Sequence, residues 1–252
     1  MRLAPHVLVE TSLDGITAGD VLELAGTTRH HLQRVLRLSA GTVVSLTDGR
    51  GHRVDGRFEG DHVVVSGHPE AWEAARPCLV LGQAVSKGRR AEDAVRVACE
   101  LGVDRIVPVL AARTQHRPDR RGGEALVERW RAVAVGALEQ SRGVRLPVID
   151  DPVADLTSVA GDESKVLRLI AVPGAPALPD ALDGAAAERR TVPCIAVLVG
   201  PEGGWTPEEV AAAGEAGWVP VGLGPTILRT EHAGPVAVAV IAAMLGRWRT
   251  AR

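Results

Sequence analysis

Tyrosine is absent from this chain, phenylalanine occurs once, and lysine only twice, at Lys87 and Lys165. So few aromatic rings cannot offer successive bases a stacking track, which excludes the aromatic mode of single-strand binding. No run reaches the roughly 18 apolar residues that a membrane span requires. The opening MRLAPHVLVETSLDG lacks a long apolar segment and meets acidic residues early, against a secretory signal. Cysteine is scarce as well. Cys78, Cys99 and Cys194 stand far apart in apolar surroundings, odd in number and without CxxC spacing. This pattern predicts reduced, buried thiols in a cytoplasmic protein, with neither disulfide nor zinc. His30 and His31 are adjacent, but no carboxylate or cysteine stands at ligand spacing, so no metal site is expected.

What is present is a 252-residue chain with 46% hydrophobic residues, enough for one large domain or two smaller ones. A net charge of −2 does not announce a nucleic-acid partner. The distribution of charge is more telling. From Arg113 to Arg145 eight arginines face four acidic residues, a local excess of +4. Arginine suits phosphate through its planar, bidentate fork.

Residues 1–72 read as a small β-barrel. HVLVE, DVLEL, TVVSLTD, HRVDGRFE and DHVVVSG are short strands separated by Gly-containing turns. A helix, TTRHHLQRVLRLSAG, interrupts them, with Leu32, Val35, Leu36 and Leu38 as its apolar face. GHPEAWEAARP is a polar, proline-bounded connector, which places the boundary there and assigns 73–252 to a second domain. That domain alternates strands and helices: CLVLGQAVSKG, then an amphipathic helix ending at Gly102, then VDRIVPVL, a βαβ unit of an α/β fold. Lys87 and Arg89 follow a strand end, where open α/β sheets bind ligands, although a solvated helix start would look the same. ALVERWRAVAVGALEQS forms a further helix, Val166–Val172 a strand, and residues 174–192 an Ala- and Pro-rich surface segment.

The chain is organised around residues 198–233. CIAVLVG is a buried strand that breaks at Pro201; Gly203 and Gly204 keep the next turn bare. Thr206 caps the following helix, with Pro207 at its first position and Glu209 completing a capping box; Gly217 ends it. WVPVGL is the next strand, and Gly222, Gly224 and Pro225 shape a second bare loop before a long apolar helix. Two such loops at neighbouring strand ends leave backbone groups free for a flat polar ligand. Neither loop is a GxGxxG fingerprint or a P-loop, so a phosphate cradle is not indicated.

GPEGG before a capped helix, followed by LGPTILRTE, resembles the 16S ribosomal RNA uridine-N3 methyltransferases of the RsmE type, members of the SPOUT superfamily. The resemblance extends to GQAVSKG…ACELGVDRIVPVLAARTQ and to HHLQRVLRLSAG. It implies an N-terminal PUA-like RNA-binding β-barrel and a C-terminal α/β, Rossmann-like domain tied in a trefoil knot around S-adenosylmethionine. It also implies a homodimer. Carried onto this chain, the cofactor residues are Val199, Gly200, Pro201, Glu202, Gly203, Gly204, Leu223, Gly224, Ile227 and Leu228, with Val172 on a third loop. Glu202 could equally hold its own loop. RNA contacts are expected from Arg34, Arg37, Lys87, Arg89 and Arg113. Members of the family often carry EQSGR where this chain has EQSRG, so Arg142 and Arg145 are both candidates.

Methyl transfer from a sulfonium needs no metal; it needs the methyl carbon held in line with a nucleophile. Uridine N3 carries a proton, so a base must remove it or the developing anion must be stabilised. Arg229, anchored by Ile227 and Leu228, is the candidate for that charge or for a phosphate. Glu231 is the candidate proton acceptor, or else a carboxylate placed to suit a helix dipole. A methyltransferase of the same fold for another RNA position, and a non-catalytic ribosome assembly factor, are the alternative readings.

Overall fold

The computed structural model describes residues 3–86, 88–115, 117–161, 165–184 and 193–248. The chain divides into two compact units: residues up to 74 with 135–146, and residues 75–134 with those from 147 onward. A sequence boundary at 72 misses the internal segment 135–146, which begins within a helix that ends at Ser141 and carries no break in composition.

In the first unit, strands β1 (His6–Leu8) and β2 (Val21–Glu23) precede helix α1 (Gly26–His30), which runs into a π-helical turn at His31–Val35. Strands β3 (Thr42–Thr47), β4 (His52–Phe58), β5 (His62–Val65) and β6 (Glu70–Ala71) follow. The sheet order is β1-β3-β4-β5-β2, with β6 on β4. Val44, Leu46, Val54, Phe58 and Val63 alternate inward and are buried, the period-two pattern that a half-buried strand requires. Two expectations are corrected here. The connector contains β6, paired in register with His52 and Arg53. Trp72 stacks under Arg53 at 4.8 Å within this unit. Of the helix's proposed apolar face, Leu32 alone is fully buried, while Val35 and Leu36 are exposed. The π turn shifts the angular phase of the residues after Leu32, and Arg37 then leaves the helix with a left-handed φ of 53°.

Residues 135–146 join this unit through long-range hydrogen bonds. Glu139 accepts from the Leu8 amide at 3.1 Å, and Arg142 donates to the Ala4 carbonyl at 2.6 Å. His6 Nε2 donates to the Gly143 carbonyl at 2.8 Å.

The second unit alternates strands and helices: β7 (Cys78–Ala84), α2 (Arg90–Glu100), β8 (Arg105–Val109), α3 (Arg120–Ser141), β9 (Val148–Ile149) and a 3-10 turn at Leu156–Ala160. Then come β10 (Val166–Ala171), α4 (Leu178–Gly184), β11 (Cys194–Val199), α5 (Pro207–Glu215), β12 (Val219–Val221) and α6 (Thr230–Met244). The last residues of α3 belong to the first unit. All six strands are parallel, in the order β12-β10-β11-β7-β8-β9. Every residue of β11 is buried, as expected of a central parallel strand covered on both faces. Along β7 the faces alternate. A Cβ on Gly82 would meet Leu198 and Val159 of the 3-10 turn, whereas Leu81 and Gln83 face Gly234 of α6. Residues 178–184, expected as loose surface, are helical with Leu178 and Leu182 fully buried; residues 185–192 lie outside the described residues.

The cysteine expectation is also corrected. Cys78 and Cys194 are register partners at the starts of β7 and β11, 4.4 Å apart at Cα, and are joined by a disulfide. That spacing is within the range a disulfide can bridge. Their separation of 116 residues hides a pairing that sheet order creates. Cys99 is free. Among the described residues no helix is long and apolar enough to cross a membrane.

Candidate active site

The order of the strands reverses beside β7: β8 and β9 extend to one side, β11, β10 and β12 to the other. Open parallel sheets bind ligands at such a switch point, outside the carboxyl ends of the strands. A cavity of about 770 Å³ opens on that carboxyl side of the sheet, after β10, β11 and β12. It is lined by residues 171–174, 199–205 and 223–231, with Arg90, Val210 and Ala233. All eleven residues assigned to a cofactor from the sequence, and both Arg229 and Glu231, fall on this one wall.

Each loop is held by identifiable contacts. Trp205 Nε1 donates to the Ala171 carbonyl at 3.1 Å, tying the loop after β11 to the end of β10. Gly204 N closes on the Pro201 carbonyl at 2.9 Å, and Gly204 has a left-handed φ of 70° that favours glycine. Arg113 Nη1 donates to the Gly203 carbonyl at 2.8 Å. The Glu202 carboxylate lies 3.2 Å from Arg90. Glu209 both completes the capping box with Thr206 and accepts from the Ala112 amide at 2.7 Å. On the other side, the Val172 amide donates to Val221 and Leu178 N to Gly222, fixing the loop after β10 beside β12.

The start of α6 brings charge to the cavity. Arg229 is the N-cap residue, exposed, and among the described residues its guanidinium has no hydrogen-bond or ion-pair partner. Glu231 stands in the first turn, with Oε2 buried and without a hydrogen-bond partner among the described residues. Ile227 does not anchor this loop, as the sequence had suggested: it is 84% exposed, because residues 224–227 all stand clear of the core. Leu228, half-buried, is the inward member of the pair.

The other basic candidates are scattered. Arg34, on the π-helical turn of the first unit, and Arg37, just past it, are exposed. Arg89 is exposed at the N-cap of α2, 3.5 Å from Glu92. Arg142 and Arg145 are engaged with backbone carbonyls, of Ala4 and Trp72 respectively. Lys87 lies outside the described residues. Sequence reasoning missed Trp205, Arg90 and Thr230 as wall residues; the tryptophan beside GPEGG was the one available signal. Among the described residues no cluster of three His, Cys, Asp or Glu side chains could hold a metal.

The cavity suits a nucleoside-sized ligand. Its volume is that of a small-molecule site, and its glycine loops present backbone groups to it. Beside it, the buried Oε2 of Glu231 has no hydrogen-bond partner among the described residues.

Comparison with known proteins identifies the family. Residues 74–242 match the RNA methyltransferase domain family, and residues 24–65 the RNA methyltransferase PUA domain family. A protein of Synechocystis named ribosomal RNA small subunit methyltransferase E is 32% identical over 251 residues, covering 96% of this chain and 77% of its own. A ribosomal RNA small subunit methyltransferase E from Neisseria gonorrhoeae, solved bound to S-adenosylmethionine, superposes with a TM-score of 0.82 at 27% identity, covering 96% of this chain and 98% of that one. A putative methyltransferase of Legionella pneumophila, solved with the same cofactor, gives 0.84 at 27% identity over the same shares. Matched by the methyltransferase domain family over 74–242 and 32% identical to a protein of that name along nearly its whole length, this chain belongs to the ribosomal RNA small subunit methyltransferase E family.

Proposed function

We propose that this protein methylates N3 of a uridine in 16S ribosomal RNA of the small subunit, using S-adenosylmethionine. The observation that carries the reading is the single cavity in which both glycine loops meet Arg229 and Glu231. The cofactor would be held by backbone groups of residues 199–204 and 223–228, with Val172 on the third loop. Bound there, it supplies an electrophilic methyl group. The remaining work falls to the protein. Glu231, whose buried Oε2 has no partner among the described residues, accepts the N3 proton. Arg229, without a side-chain partner among the described residues, stabilises negative charge as it develops on the uracil. Glu202 holds its own loop through Arg90 and leaves recognition to the backbone.

N3 lies on the Watson–Crick edge, so the target base must be unpaired or turned out of its helix. Arg34, Arg37, Lys87 and Arg89 are the proposed phosphate contacts. Arg113, Arg142 and Arg145 are assigned instead to loop and backbone positioning by the hydrogen bonds they make. The reading includes a cytoplasmic location, a trefoil-knotted second unit and a homodimer; β11 lies between β10 and β7, both laid down earlier in the chain.

Mass spectrometry of ribosomal RNA from a deletion strain tests the function. Loss of one N3-methyluridine from 16S RNA, restored by the wild-type gene, is expected. Loss of a different methylated position would favour the alternative substrate, and an unchanged spectrum a non-catalytic assembly role. Light scattering that shows a stable monomer at micromolar concentration would remove the dimer.

A further inference from the structure

The two loops of the cavity are joined from beneath by a buried relay. Gln83, fully buried, is the penultimate residue of β7 and pairs in register with Val199 and Pro108 on the flanking strands. Its Nε2 lies 3.2 Å from Thr230 Oγ1. Thr230 Oγ1 in turn donates to the Gly200 carbonyl at 2.6 Å. A hydroxyl has one proton, so Thr230 can only accept from the amide while it donates to Gly200. The direction is therefore fixed: Gln83 to Thr230 to Gly200.

A glutamine at this depth calls for an explanation. An apolar side chain would fill the same space without the cost of burying an amide. That cost is visible here, because Gln83 Oε1 has no hydrogen-bond partner among the described residues. The packing is also arranged around it: a Cβ on Gly234 would stand 2.4 Å from that oxygen. What the amide does achieve is confined to its nitrogen end. It links a rigid central strand to the first residue of α6, and through it to the first residue of the loop after β11.

Resting on the methyltransferase reading above, we infer that Gln83 and Thr230 are positioning residues. They fix the spacing between the glycine loop that holds the cofactor and the groups that act on the base. Thr230 lies between Arg229 and Glu231 in sequence, so any shift of its backbone displaces both. Gly200 opens the loop on the other side. Neither relay side chain needs to touch RNA; the relay acts through the residues beside it.

The test uses the full-length protein, small-subunit RNA and labelled S-adenosylmethionine, with single-turnover rates normalised to cofactor-binding sites titrated by calorimetry. Normalisation keeps a partly unfolded sample from imitating a slow one. Thr230→Val keeps the shape and removes the hydroxyl; its rate at saturating RNA and cofactor is expected to fall about 10²-fold, the scale of a misplacement near 1 Å. Raising either concentration should not restore it. Thr230→Ser, which returns the hydroxyl, should recover most of the loss. Gln83→Leu should match Thr230→Val, and the double variant should be no more than about twofold slower than either, since residues acting through one network are not additive. If Gln83→Leu does not fold, the valine–serine pair at Thr230 carries the test. Near-normal rates in Thr230→Val, a serine variant as slow as valine, or additive losses would each overturn the relay alone. A wild-type protein that transfers no methyl group to small-subunit RNA would overturn the function and the relay with it.

Discussion

The Trp205 indole occupies the space beside Gly200: a Cβ on that glycine would stand 3.1 Å from the ring, whose Nε1 is held by the Ala171 carbonyl. Any side chain at 200 would have to move that ring by a few tenths of an ångström, before any ligand is considered. At Gly224 the reason differs, since its φ of 136° disfavours any other residue.

Gly200→Val is accordingly expected to push Trp205 off Ala171 and to distort the loop wall. Overpacking of this kind costs about 1–3 kcal/mol, or roughly 5- to 150-fold in S-adenosylmethionine affinity if it falls on the binding-competent loop. Calorimetry without added metal checks this. Unchanged binding by both Gly200→Val and Gly224→Val would place the cofactor elsewhere.

Arg229 has no side-chain partner among the described residues, so its loss should leave the fold and cofactor affinity nearly untouched. Arg229→Ala should slow single-turnover methylation by about 10²–10³-fold, the typical effect of one preorganised donor. If it clamps phosphate instead, the loss appears as weaker RNA affinity with a shallower salt dependence. Arg229→Lys separates the two, because lysine keeps charge but not the planar fork. A near-normal rate in the alanine variant would end its candidacy and shift attention to Glu231.

Arg247, just past α6, is nearly buried, its side chain 4% exposed. It donates to the carbonyls of Ala75, Pro77 and Gly102 and lies 2.9 Å from the Asp104 carboxylate, which also accepts from Leu79 N. Arg247→Ala strands those acceptors and should destabilise the protein by about 2–4 kcal/mol. Denaturant unfolding measures it; a loss within ordinary surface values would show that water replaces the guanidinium freely.

Under denaturing, non-reducing conditions one thiol should react with alkylating reagent, and three after reduction. In the native state Cys99 should also resist, because burial pushes its thiol up to about 12. Loop-closure entropy over 116 residues sets the stabilisation from the disulfide near 4–5 kcal/mol in the chain-entropy account. Three reactive thiols in protein isolated under alkylation would mean that the pair is reduced in the cell.

His6 should give the first unit a pH dependence. Burial holds its imidazole below the usual histidine range, outweighing the opposing effect of its bond to Gly143. A neutral ring then donates from Nε2 to Gly143 and accepts at Nδ1 from Ser45, 3.1 Å away. With a folded pKa below the unfolded one, the stabilisation is complete above about pH 6.5 and is lost as pH falls through the folded value. Unfolding midpoints of wild type and His6→Gln, compared from pH 8 to 5, should converge toward acid. Parallel curves would contradict it.

Sequence alone determined what is local along the chain. The cap of α5 needs only Thr206, Pro207 and Glu209 within one turn, and all three take the expected places. The fully apolar CIAVLV segment could only be a covered strand, and the glycine loops after it could be read from their lack of side chains. Tertiary structure decided what depends on sheet order and register. Nothing in the spacing of Cys78 and Cys194 announces that β11 lies beside β7. Gln83 reads as an ordinary strand-end residue until α6 places Thr230 over it. EQSRG reads as a helix end, yet its arginine and glycine bond to Ala4 and His6. Ile227 and Leu228 are equally apolar in sequence; the loop's path leaves the first in solvent and turns the second inward. Caps and periodicities act between residues a few positions apart, so the sequence displays them directly. Pairings across more than a hundred residues exist only once packing has chosen which strands become neighbours.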